Sequence, residues 1–327
     1  MELAISPSTP GLTVSDLAEL CAYAEDLGYR QTWLAEVAGP DAFVLAGAIA
    51  RQTKRMECGV GVVPAYTRTP PGLAMAAASV SQLMGGRPFR LGIGASSEVI
   101  VEQWHGVPFT KPLARVRDTV LAVREALAGR GDYVGATLTM SRFRLATAPS
   151  GPVPIFVGAL RPGMLGLAGE VGEGVCLNLM PPRIVIRQLA EVRRGAAAAG
   201  RDLPGDFGVM ARLQTVVTDD PAGVREMLRT QFLGPYLAQP VYNRFLGWMG
   251  YEEEARAIAA GWAAKDRASV SAAINDALID DLVVVGDAKH VRNRLDEFAA
   301  SGLTVAALMV HTPSRSAVED TLRALAP

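Results

Sequence analysis

Phe89-Arg90-Leu91-Gly92-Ile93-Gly94-Ala95-Ser96-Ser97 is an apolar strand that runs into bare backbone and two serines, and two α/β architectures compete for it. As Gly-x-Gly-x-x-Ser it matches a dinucleotide fingerprint except at the third glycine. A fingerprint also requires a ribose-binding acid about twenty residues further on, at the end of the next strand. Here that region holds Arg115 and Arg117 within a helical pattern. The segment therefore reads as a barrel strand and loop whose backbone can lie flat against a planar ligand. Tight strand-to-loop packing is the competing explanation of its glycines.

Outward from this point, short apolar runs alternate with longer amphipathic segments, which signals βα units around a parallel sheet. Strands are predicted over residues 2–6, 31–36, 57–63, 89–95, 154–158, 174–178, 207–217 and 304–311. Helices are predicted over 14–27, 41–52, 70–83, 112–127, 162–171, 184–199 and 316–325, with Ser15 and Asp41 as N-caps. A loop of functional length follows the fourth strand, and residues 133–145 read as a hairpin-like excursion. Eight such units in one unbroken series predict a (β/α)8 TIM barrel. The expectation is one domain over 1–327 with a mainly helical insertion after the seventh strand, at about 220–280. A doubly wound sheet with a second helical domain, dividing near 217–220, is the rival.

Composition narrows the function. Of 327 residues half are hydrophobic and 20% are charged, with a formal net charge of -1. That lacks the basic footprint of a nucleic-acid binder, so small molecules or other proteins are the expected partners. Cys21, Cys58 and Cys176 are far apart and in no metal-ligand spacing, so no disulfide framework or metal site is expected. The N-terminus lacks a basic region followed by a long apolar one, and no apolar stretch of spanning length runs without a break. A cytoplasmic protein with no membrane partner is expected.

Candidate site residues cluster where strands end, because binding groups of such barrels sit at the C-terminal face. Gly59-Val60-Gly61-Val62-Val63-Pro64 places glycines inside a strand, which marks a bulge or a close approach by a ligand. Glu36 ends the second strand, with a helix-cap or surface role as its alternative. His105, in Trp104-His105-Gly106, and His311, at the end of the eighth strand, both reach that face by position, whereas His290 falls on the polar side of a helix. A histidine there exchanges protons or serves as a structural hydrogen-bonding group. Phe156-Val157-Gly158-Ala159-Leu160-Arg161-Pro162 leads into a helix N-terminus that offers free amides to a phosphate. In the insertion, Tyr236, Tyr242, Phe245, Trp248, Tyr251 and Trp262 line a pocket, form a dimer interface or pack its helices.

Taken together, Trp33-Leu34-Ala35-Glu36 with Asp41, Gly61-Val62 with Thr67-Arg68-Thr69-Pro70, Gly86 to Gly94, Trp104 to Phe109, Pro154 to Gly158, Gly174 to Asn178 and Val285-Gly286-Asp287 resemble the luciferase-like superfamily. Within it they resemble the branch of oxidoreductases that depend on the deazaflavin coenzyme F420. The resemblance runs nearly end to end. It implies a TIM barrel with insertions, and a non-proline cis peptide at Gly61-Val62 that supports the deazaflavin ring from behind. It further implies ring contacts from Glu36, Gly94, Ala95, Ser96 and Val99, and phosphate and tail contacts from Gly158, Ala159 and Asn178. A lysine frequent just after the fifth-strand turn is Gly163 here, which leaves Arg161 for the phosphate. The implied reaction is hydride transfer between F420 and a small-molecule substrate, with Glu36, Glu98 and His105 as candidates for moving the proton. An FMN-dependent monooxygenase and a non-catalytic binding subunit are the alternatives in the same fold. A homodimer is the expected assembly.

Overall fold

A computed structural model describes residues 1–312 and 314–327. Eight parallel strands close a barrel: β1 (Glu2–Ile5), β2 (Gln31–Leu34), β3 (Glu57–Pro64), β4 (Phe89–Gly94), β5 (Ile155–Gly158), β6 (Gly174–Asn178), β7 (Gly208–Val217) and β8 (Val305–Val310). β6 pairs with β7, β7 with β8 and β8 with β1, so the ring has no free edge. The doubly wound alternative is excluded by that closure. One further strand, Val283–Gly286, lies outside the expected eight. It pairs with Gln214–Val217 on the side of β7 opposite β8, beyond Arg212, where β6 has left the pairing.

Local sequence explains most helix limits. Helix Val14–Asp26 is capped by Thr13, which accepts from the Asp16 amide while Asp16 reaches back to the Thr13 amide. The cap is therefore Thr13 and not Ser15, because the reciprocal pair satisfies two amides that a serine inside the first turn cannot. Asp41 caps Ala42–Gln52 as expected, accepting from the amides of Phe43 and Val44. The region after β4 is less irregular than its sequence suggests, since Val99–Trp104 forms a wide-turn π-helix before helix Pro112–Leu127. Residues 221–282 fold into short helices, including a second π segment, Leu228–Leu233. Such segments are concentrated at functional sites. Among the described residues no helix is long and apolar enough to cross a membrane.

The barrel interior is plugged low down by Ala4, Trp33, Phe156, Cys176, Met210, Val305 and Ala307. Trp33 and Phe156 meet with ring centroids 5.1 Å apart. Glycine is required above the indole because a β-carbon on Gly59 would fall 2.6 Å from Trp33 Cε3. The lumen is thus a packed core at its floor, as close packing demands.

Candidate active site

The peptide bond between Gly61 and Val62 is cis, and the β3–β4 pairing slips between Val60 and Val63 at the same place. The slip turns Val62 inward, half-buried, to the top of the plug. Its methyl groups occupy the space where β-carbons on Gly94 and Gly158 would stand, at 2.6 Å and 3.0 Å. A β-carbon on Gly92 would meet the Val60 carbonyl oxygen at 2.1 Å. These glycines therefore make room for the bulge, which joins the two readings of residues 92–94: tight packing is what creates the flat surface. The result is a platform of Val62 flanked by bare strand ends. Ser96 and Leu179, just past the ends of β4 and β6, hold left-handed backbone at φ 65° and 52°, a conformation that costs a non-glycine residue about 1–2 kcal/mol.

Glu36, two residues past the end of β2, is already engaged. Arg68 donates to both of its oxygens, Nε to Oε1 at 2.9 Å and Nη2 to Oε2 at 2.6 Å, and the Ala42 amide adds a third bond. Arg68 also donates to Asp41 Oδ2 at 2.5 Å. Burial raises the Asp41 pKa, yet bonds from Arg68 and from the amides of Val44 and Phe43 hold it below the ordinary carboxylate value. Glu36 is thus a clamp on Arg68 and on the loop that leads to Asp41. Glu98 and His105 flank the π-helix Val99–Trp104 and are both exposed. Among the described residues no side-chain hydrogen bond ties either of them to the platform. Gly61, Val62, Gly94 and Gly158 are brought together, and Ala95, Ser96 and Val99 follow them on the loop after β4.

The opposite wall is polar: Asn178, Tyr236, Tyr242 and His311 are among the sequence candidates, whereas Gln214, Arg212 and Phe232 are not. Asn178, at the end of β6, donates through Nδ2 to the hydroxyls of Tyr236 (3.1 Å) and Tyr242 (3.2 Å). Its Oδ1 accepts from Gln214 Nε2 at 3.2 Å. Gln214 Oε1 in turn lies 2.5 Å from His311 Nε2. Asn178, expected to hold a phosphate, is therefore the hub of a rim network and has both amide hydrogens taken. Because Gln214 offers its oxygen, His311 carries its proton on Nε2. Burial, and then the charge of Arg212, push the His311 pKa down to about 4, so the ring is neutral near pH 7. Phe232, from the second π segment, packs on the imidazole with centroids 4.3 Å apart. Tyr236 and Tyr242 lie with hydroxyls 3.1 Å apart, and burial and each other's proximity raise the Tyr242 pKa, keeping it protonated.

Arg212 sits among these groups. Met210 belongs to the plug, and Arg212 follows two residues later on β7, so strand alternation points it into the lumen one layer higher. Its neighbours in register are Asn178 and Ala307, and Ala307 pairs in turn with Ala4. Those alanines leave width for a guanidinium. Its Nε is buried without a hydrogen-bond partner, and among the described residues no carboxylate pairs with it. A period of two, Arg212 and Gln214 within a largely apolar strand, was the available signal for inward polar groups. A second cationic spot lies at the fifth-strand turn. Arg161 caps helix Pro162–Val171 with no side-chain cap bond, and burial followed by the charge of Arg244 lowers its pKa.

Comparisons with known proteins agree with this geometry. The profile of the family described as luciferase-like monooxygenase matches residues 2–305. The chain is 31% identical over 331 residues, 93% of this chain and 92% of the other, to a Mycobacterium tuberculosis protein named provisionally as a coenzyme F420-dependent oxidoreductase. It is 27% identical to the 5,10-methylenetetrahydromethanopterin reductase of Methanolobus tindarius over 301 residues, 91% and 90% of the two chains. Among solved structures, the coenzyme F420-dependent tetrahydromethanopterin reductase of Methanopyrus kandleri superposes with a TM-score of 0.82 at 21% identity, over 99% of this chain and 97% of that one. That likeness bears on the fold.

Proposed function

The chain belongs to the luciferase-like monooxygenase family, and we propose that it is a coenzyme F420-dependent oxidoreductase acting on a small organic substrate. The observation that carries this reading is the Val62 platform facing a wall of neutral proton carriers above a sealed lumen. Side chains of that kind move protons but cannot hold a pair of electrons, so the redox step belongs to a bound group. The residues present fit a deazaflavin: a flat apolar floor, an unpartnered guanidinium beside it, and Arg161 with Arg244 for an anionic tail. Bound F420 supplies or accepts a hydride at C5. Gly61, Val62, Gly94 and Gly158 would form its seat, with Ala95, Ser96 and Val99 beside its ring.

The protein's own part is position and proton handling. Asn178 donates to both tyrosine hydroxyls, leaving two phenolic hydrogens between Tyr236 and Tyr242. One serves their mutual contact and the other is free for a substrate oxygen. His311 presents an unprotonated Nδ1. Phe232 and the insertion's tyrosines restrict water at the mouth. Glu36 holds Arg68 in place.

A fluorescence titration with F420, run beside one with FMN, tests the reading. Saturable quenching of F420 with no comparable FMN uptake is expected. Absence of F420 binding overturns it, and FMN binding with oxygen consumption replaces it by a monooxygenase.

A further inference from the structure

We infer that Arg212 is an oxyanion anchor at the floor of the mouth, taking a planar anionic edge of the bound molecule. This deepens the proposed function and rests on it for the identity of the site. A guanidinium left without a counter-charge in a packed barrel is costly, because its desolvation is offset by no ion pair. Arg212 is in that position, with Nε buried and unbonded. The groups around it answer no charge either. His311 is neutral, Tyr242 is protonated, and Asn178 and Gln214 are amides already bonded to one another. Glu36, the acid that follows β2, is paired with Arg68. The neighbours of Arg212 at this level, Ala4 and Ala307, are small and apolar and offer it no polar partner.

The planar fork matches a carboxylate, or the N–C–O edge of an anionic pyrimidine ring, by paired hydrogen bonds. The first source is a substrate carboxylate, and the second is the cofactor's own ring. Both present the same chemistry to Arg212.

The test compares wild type with Arg212→Met and Arg212→Lys. Titration calorimetry with benzoate, as a small planar carboxylate, and fluorescence titration with F420 are run separately, and melting temperature is followed alongside. The expected result is a loss of tenfold or more in one affinity for R212M, partial recovery in R212K, and a melting temperature at or above that of wild type. Loss confined to benzoate assigns the anion to the substrate, and loss confined to F420 assigns it to the ring. A wild type that binds benzoate but not F420 sinks the proposed function and leaves the anchor standing. Unchanged affinities for both probes in R212M, a wild type that takes up neither, or a lower melting temperature with no selective loss, overturns the inference.

Discussion

Val62 fills the space that a side chain on Gly94 would need, its Cγ2 lying 2.6 Å from where that β-carbon would be. Two residues on neighbouring strands thus fix each other, and the flat floor of the mouth follows from their contact. Gly94→Ala should push Val62 off the platform. Overpacking of this kind costs about 1–3 kcal/mol. Urea denaturation should show that loss, and F420 affinity should fall by more than the stability change alone would cause. An alanine variant that binds F420 as wild type does would dissociate the bulge from the seat.

Glu36 and Arg68 form a two-pronged ion pair with limited exposure, 16% and 26% of the side chains. Removing either partner should destabilise by about 1–3 kcal/mol. Because both substitutions break one interaction, Glu36→Gln with Arg68→Met should cost little more than either alone. A double-mutant cycle in urea measures this. Strict additivity would mean that the two act through separate contacts.

Glu25 is buried and accepts from the amides of Lys54, Arg55 and Met56 at the entry to β3. Burial raises its pKa, but those three amides and Arg55 bring it below the ordinary glutamate value. Its contribution is therefore complete above pH ~4.3, the ordinary value, and drains away as pH falls through the lowered one. Glu25→Ala should cost on the order of 3 kcal/mol at pH 7, and markedly less at pH 3. Urea midpoints for both proteins at the two pH values check it.

His311 is kept neutral by burial and by Arg212, with its pKa near 4. The unfolded chain takes up a proton near pH ~6.5, so this residue's share of stability is full above that pH and declines as pH falls toward 4. NMR titration of the imidazole should give a midpoint close to 4. In R212M the midpoint should rise, because the neighbouring positive charge is gone. A midpoint unmoved by that substitution would leave burial as the sole cause.

Tyr236 and Tyr242 share Asn178 and each other. Tyr236→Phe and Tyr242→Phe should each lower kcat about tenfold to a hundredfold, within the range for a lost proton donor, with KM changed less. Steady-state kinetics on any turned-over substrate will show it. Equal kcat in both variants would remove the tyrosine pair from proton transfer.

Much of the fold was legible because strand and helix periods are local properties. The glycines at 59 and 61 announced a bulge, those at 92 and 94 a close approach of backbone, and Asp41 a cap. Thr13 was overlooked because capping depends on the reach of Asp16 back to it. The strand Val283–Gly286 was hidden because its pairing partner lies some seventy residues earlier on β7.

By itself the chain's order of residues determined the βα alternation, the barrel and the place of the kinked strand, since each depends on neighbours within a few residues. Only the closed barrel decided which groups work together. Asn178 and Gln214 lie on two strands and His311 just past a third, 36 and 97 residues apart, and inter-strand register brings them together. The same closure gave Glu36 its partner in Arg68 and left Arg212 without one, because charge pairing is settled by distance in space and not by spacing along the chain.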